Sequence, residues 1–157
     1  MISKYFHCML GIFSTEPFYT TYINLPDGHT PLSRRICNSP KMLPFFDCTL
    51  SALNGCHISC APPSYSHLPY RNKKGFLSQN CLFACDFNLQ FIFCYTGWEG
   101  SAMDAQVFKG GLQAGLQIPN GYYYLADVGY PPLNQDLLTP YHGVRYHLAE
   151  WSRTNQK

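Results

Sequence analysis

The sequence predicts an α/β domain, and three observations carry the prediction. Two short apolar runs, 81–85 and 91–95, flank the turn-forming Asp86-Phe87-Asn88 and read as paired strands. Ala105, Phe108, Leu112 and Leu116 then recur at helical spacing on one face. A short aromatic run, Tyr122-Tyr123-Tyr124-Leu125-Ala126, follows as a further strand.

Composition bounds the rest. The chain has 157 residues, 46% hydrophobic and 13% charged, which is enough apolar surface for one core and excludes an intrinsically disordered chain. Twelve prolines and twelve glycines exclude a coiled coil, and no 18-residue apolar run offers a membrane span. With 11 basic and 9 acidic side chains, the net charge of +2 does not by itself mark a nucleic-acid binder. Arg71, Lys73 and Lys74 form the densest basic group, read either as a solvated loop or as a phosphate contact.

Eight cysteines would suit a secreted disulfide scaffold, yet the N-terminus lacks a signal-peptide layout, so the chain is expected not to be secreted. No C-x-x-C pair occurs; Cys56-His57 with Cys60, Cys81 and Cys85 comes nearest to a zinc pattern. Several of these cysteines lie in apolar runs, and reduced thiols acting as small core residues are the expectation.

In chain order, residues 1–15 carry Tyr5, Phe6, Met9, Leu10 and Phe13 at near-helical spacing and read as an amphipathic helix without an N-cap, the tail of an upstream helical segment. Residues 16–46 contain Pro17, Pro26, Pro31, Pro40 and Pro44, which exclude a continuous helix or central strand and suggest an extended connector. Residues 49–60 read as a strand, with a hairpin turn at Asn54-Gly55 as the alternative. The runs 81–85 and 91–95, apolar on both faces, are expected in the middle of a sheet. Ser101-Ala102-Met103-Asp104 resembles a capping box that starts a helix near Ala102, weakened by Gly110 and Gly111. Asp127 ends the aromatic strand, where the backbone turns away; it reads either as a metal-holding acid or as a turn cap.

Several segments together resemble one family. Tyr70-Arg71-Asn72-Lys73-Lys74-Gly75-Phe76-Leu77-Ser78-Gln79-Asn80 is similar to the YRNRKGFLSQN signature of Harbinger-type transposase-derived nucleases, which are DDE superfamily endonucleases. Thr96-Gly97-Trp98-Glu99-Gly100-Ser101-Ala102-Met103-Asp104, Tyr123-Tyr124-Leu125-Ala126-Asp127-Val128-Gly129-Tyr130-Pro131 and Gly143-Val144-Arg145-Tyr146-His147-Leu148-Ala149-Glu150-Trp151 follow in the family's order. The resemblance implies an RNase H-like mixed sheet with flanking helices, incomplete at the C-terminus, and places a partial endonuclease domain at 47–157.

The resemblance also implies three acids that hold two Mg²⁺ or Mn²⁺ ions for cleavage of a DNA phosphodiester. The first acid belongs to a G-A-L-D-G-T-H-I motif, whose counterpart here is Ser51-Ala52-Leu53-Asn54-Gly55-Cys56-His57-Ile58, so Asn54 stands in its place. The second matches Asp127; the third belongs to a helix beyond the H-L-x-E-W motif, and Glu150 is not its counterpart. Asn54 brings an oxygen but no charge, so weak or absent metal binding and little cleavage are expected.

Asp104 is read as an orienting group near the metals or as a helix cap, and His57 as a partner of a metal ligand or a hydrogen-bonded core histidine. Arg71, Lys73 and Lys74 become candidates for DNA phosphate contact. A nuclear location follows by resemblance, a cytoplasmic one otherwise. The alternatives are a catalytically silent descendant that binds DNA or a protein partner covering an exposed sheet face, and a gene fragment without independent function.

Overall fold

A computed structural model describes residues 1–130, 136–141 and 143. The H-L-A-E-W segment, including Glu150, lies outside the described residues. The chain opens with helix α1 (Ile2–Ser14), as its apolar spacing predicts, but no residue of this helix is buried. The proline-rich segment is not wholly extended: it holds three short helices, α2 (Phe18–Tyr22), α3 (Arg34–Cys37) and α4 (Leu43–Phe46). Ser33 caps α3 by accepting from the Arg35 amide, and Pro44 sits in the first turn of α4, where a missing N–H costs nothing. The segment also packs on the domain, since the Tyr122 and Tyr123 hydroxyls donate to the Gly28 and Phe45 carbonyls.

Strand β1 (Thr49–Ser59) runs straight through Asn54-Gly55, so the hairpin alternative is excluded. The reason is tertiary: every residue from Ala52 to Ser59 pairs antiparallel with β2 (Ser78–Cys85), which leaves no free backbone for a turn. Helix α5 (His67–Tyr70) lies in the connection between these strands. Then follow β3 (Phe91–Glu99), α6 (Asp104–Gln113), β4 (Tyr123–Leu125) and β5 (Leu137–Leu138).

The sheet order is β3-β2-β1-β4-β5, with β1 parallel to β4 and antiparallel to β2. This is the mixed α/β sheet that the RNase H-like expectation requires, and it places β1 at the centre. The expectation that both apolar runs lie mid-sheet holds for β2 and fails for β3, which is an edge strand with no buried residue. Its apolar residues serve different ends: Phe93 and Tyr95 pack against the core, whereas Phe91 is 52% exposed beside Phe83.

Helix α6 covers one face of the sheet. Val107, Phe108 and the later Leu116 are buried with Leu53, Leu82, Ala84, Tyr124 and Tyr130 in one core. Each such aliphatic side chain contributes about 1.5–3 kcal/mol on burial. The helix begins at Asp104, two residues after the capping-box expectation, because the Met103 amide donates to the Gln106 side chain at 3.4 Å. Gly115 ends it in a left-handed conformation (φ +106°), and the Leu116 amide returns to the Gly111 carbonyl.

All eight cysteines are free, but only Cys81 is buried; Cys8, Cys37 and Cys56 are exposed, which corrects the expectation of core thiols. Cys56 and Cys81 face each other across β1 and β2, and burial pushes the Cys81 thiol above its ordinary range. Among the described residues no helix is long and apolar enough to cross a membrane.

Candidate active site

Two parallel strands at the middle of the sheet set the site. The β1–β4 ladder pairs Ser51 with Tyr124 and Ala52 with Leu125. Asn54 lies two residues further along β1 and Asp127 two residues past the end of β4, both beyond the last pair of this ladder. Both side chains are exposed. The Asp127 carboxylate accepts from the Val128 amide at 2.6 Å through Oδ1, and the Tyr130 amide returns to the Asp127 carbonyl at 3.1 Å. Asp127 therefore does cap its own turn, and the second carboxylate oxygen keeps its acceptor capacity. The Asn54 Oδ1 accepts from the Gly55 amide at 2.9 Å.

An apolar hollow of about 860 Å³ opens beside this strand end, lined by Phe46, Leu125, Val128, Leu138 and Tyr141 together with Asp127. Among the described residues, no three His, Cys, Asp or Glu side chains form a group able to hold a metal ion. Asp127 and Asn54 fit part of a divalent-cation site: one hard anionic oxygen and one neutral amide oxygen, where such ions prefer several.

Asp104 sits on the other side of β1. A methyl group built on Gly55 would lie 2.6 Å from its Oδ1, so Gly55 points at Asp104 and the preceding residue, Asn54, points to the opposite face. The Asp104 carboxylate accepts from the Asn80 side chain at 2.9 Å. Tyr130 is 1% exposed in the same region, and its hydroxyl lies toward the Gly55 amide without a well-formed hydrogen bond. Burial first, then the charges of Asp104 and Asp127, push this phenol well above its ordinary range, while the Gly55 amide acts in the opposite direction.

His57 shares the face of Gly55 and not that of Asn54. It is exposed, and its Nδ1 lies 3.0 Å from the buried Ser78 hydroxyl. Arg71, Lys73 and Lys74 occupy a tight turn that leads into β2. Asn72, 6% exposed, organises the turn: its Oδ1 accepts from the Lys74 and Phe76 amides, and its Nδ2 donates to the Ser78 hydroxyl. Arg71 donates to the Gly75 carbonyl at 2.7 Å and so braces the turn, while Lys73 and Lys74 are exposed. The turn adjoins the end of β1, where Ser59 pairs with Ser78; five residues of strand, about 17 Å, separate it from Asn54.

Sequence reasoning passed over Asn80, Gly55 and Tyr130. The signals were present: a polar residue heading an apolar strand, and a glycine inside a strand, both mark close approach of another element.

Comparison with known proteins follows the same lines. Residues 53–157 match the DDE superfamily endonuclease family. The chain is 31% identical over 99 residues to a Rattus norvegicus protein named "Putative nuclease HARBI1", covering 59% of this chain and 27% of that protein. It is 36% identical over 53 residues to the Homo sapiens protein of the same name, covering 34% of this chain and 15% of that one. The chain thus spans about a quarter or less of these relatives' length. No solved structure matches it.

Proposed function

The chain belongs to the DDE superfamily endonucleases, and we propose that it forms part of a divalent-metal-dependent DNA endonuclease in which Asp127 is the anionic ligand. Asn54 stands beside it as a neutral second oxygen. The observation that carries this reading is the parallel β1–β4 pairing at the centre of the sheet, whose last pair comes two residues before Asn54 and two before Asp127.

Endonucleases of this superfamily use divalent metals, which activate a nucleophilic oxygen and neutralise charge on the leaving oxygen. The chain's own residues do three things toward that chemistry. Asp127 offers a carboxylate whose orientation is fixed by the Val128 amide. Its strand end faces open space wide enough for a phosphodiester. Lys73 and Lys74 stand on a turn beyond the end of β1 and supply positive charge for the DNA backbone, giving affinity without sequence preference. Replacing one acid by Asn54 removes a full negative charge from a site whose work is to hold dications, so metal affinity and cleavage are weak in this chain.

A second reading is a silent DNA-binding descendant. The turn around Asn72 favours it, because that turn is built from buried hydrogen bonds that do not involve the Asn54–Asp127 gap. A nuclear location belongs to both readings, since the substrate lies there.

Supercoiled plasmid incubated with Mn²⁺ tests the proposal. The chain should nick it barely above background, Asn54→Asp should raise nicking or at least Mn²⁺ binding, and Asp127→Ala should abolish either gain. A gain that survives Asp127→Ala would refute the assignment of Asp127.

A further inference from the structure

The ladder between β1 and β4 ends at Ala52 and Leu125, so the pairing does not reach as far as Asn54 and Asp127. The contact that spans the distance is made from the side of α6. Asp104 Oδ1 would lie 2.6 Å from a methyl group on Gly55, and its Oδ2 would lie 3.4 Å from one on Gly129. A single carboxylate therefore faces Gly55, one residue after Asn54, and Gly129, two residues after Asp127.

Asp104 is held in turn by Asn80. That side chain is wholly buried on β2, and its Nδ2 donates to both the Ala102 carbonyl (3.1 Å) and Asp104 Oδ1 (2.9 Å). The Asn80 Oδ1, itself without a hydrogen-bond partner, would lie 3.3 Å from a Gly55 methyl group. Four chain segments meet around this carboxylate, β1, β2, the first turn of α6 and the turn after β4, and they leave no room for a side chain at Gly55.

We propose that Asp104, braced by Asn80, is a positioning residue that sets the separation between the Asn54 and Asp127 strand ends. Its use in metal binding rests on the endonuclease reading above. Asp104 lies behind β1, on the face opposite the Asn54 side chain, so it acts through the backbone of Gly55 and Gly129 and not as a ligand. Shape and hydrogen bonding, more than charge, are what this role requires. Gly55 is the matching feature, because any side chain there would displace the carboxylate.

The test measures Mn²⁺ affinity by calorimetry in the full chain carrying Asn54→Asp. Asp104→Asn, which keeps the shape and the bond from Asn80, should stay within about threefold, whereas Asp104→Ala should weaken binding about 10- to 100-fold. Gly55→Ala should weaken it comparably, and should add little when Asp104→Ala is already present. Equal losses in Asp104→Asn and Asp104→Ala, or additive losses at positions 55 and 104, would overturn the positioning role.

A second readout needs no metal. Hydrogen exchange at the Tyr130 amide, which closes the turn onto the Asp127 carbonyl, should quicken at least tenfold in Asp104→Ala and hardly change in Asp104→Asn. Unchanged exchange in Asp104→Ala overturns the inference even if the protein binds no Mn²⁺. Absence of Mn²⁺ binding in Asn54→Asp itself strikes only the endonuclease reading.

Discussion

Gly111 of α6 lies against Leu82 of β2: a methyl group on Gly111 would come within 2.8 Å of Leu82 Cδ2. Leu82 is wholly buried in the core, so any shift of its side chain displaces core neighbours. Helix propensity alone favours alanine here by about 1 kcal/mol. Overpacking costs about 1–3 kcal/mol and acts in the opposite direction. Gly111→Ala should therefore lower the unfolding free energy by up to about 2 kcal/mol in urea denaturation. A stabilised variant would show that α6 stands further from the sheet than described.

The basic turn separates charge from architecture. Lys73→Ala with Lys74→Ala should leave the melting temperature unchanged, weaken DNA binding uniformly across sequences and reduce the salt slope of log K by about 2. Asn72→Ala carries no charge change, yet it removes the acceptor for two backbone amides and a buried bond to Ser78. It should cost about 1–3 kcal/mol of stability and weaken DNA binding as well, by loosening the turn. Fluorescence anisotropy at several salt concentrations checks both. A double lysine variant with an unaltered salt slope would remove the turn from the DNA interface.

Tyr124 is wholly buried, and its hydroxyl has no hydrogen-bond partner. Burial pushes its phenol well above the ordinary value near 10. Below pH 10 both folded and unfolded chains keep the proton. Above it the unfolded chain releases the proton first, so stability falls as pH rises past 10. Tyr124→Phe should be neutral or up to about 1 kcal/mol stabilising at pH 7, and should flatten the alkaline fall in denaturant midpoint between pH 9 and 11. A loss of more than about 1 kcal/mol at pH 7 would show that the hydroxyl is bonded after all.

The strands β2 and β4 and the body of α6 were legible because each announces itself within a few residues: alternate or continuous apolar runs, and helical spacing from Ala105 to Phe108 and Leu112. What local patterning does not record is the neighbour. Asn54-Gly55 looks like a turn in isolation and becomes mid-strand only because β2 pairs with it from a distance. The run from Phe91 to Tyr95 resembles an interior strand, although among the described residues β3 has a partner on one side alone. The place of Asp127 just after β4 was legible from the aromatic run before it and the Val128-Gly129 turn after it. The contact of Asp104 with Asn80 joins residues 24 apart in sequence, and no periodicity encodes it. Gly110 and Gly111, read as weak points of a helix, are where Trp98, Tyr95 and Leu82 come closest to it.

Asn54→Asp is the substitution that bears most directly on function. Without metal it places a second carboxylate just beyond the same end of the β1–β4 ladder as Asp127, and like charges gathered there repel. The variant should therefore be slightly less stable than the natural chain in the presence of a chelator, by about 0.5–1 kcal/mol. Mn²⁺ should reverse the order, because the ion binds the folded state alone and stabilises it in proportion to the logarithm of its concentration over the dissociation constant. The natural chain, with a neutral amide at position 54, should show a much smaller shift. Thermal denaturation with and without 1–10 mM (order of magnitude, chosen to exceed weak dissociation constants of about 10⁻⁴–10⁻³ M) Mn²⁺ reads both effects. Identical shifts in the two proteins would mean that position 54 does not face the ion.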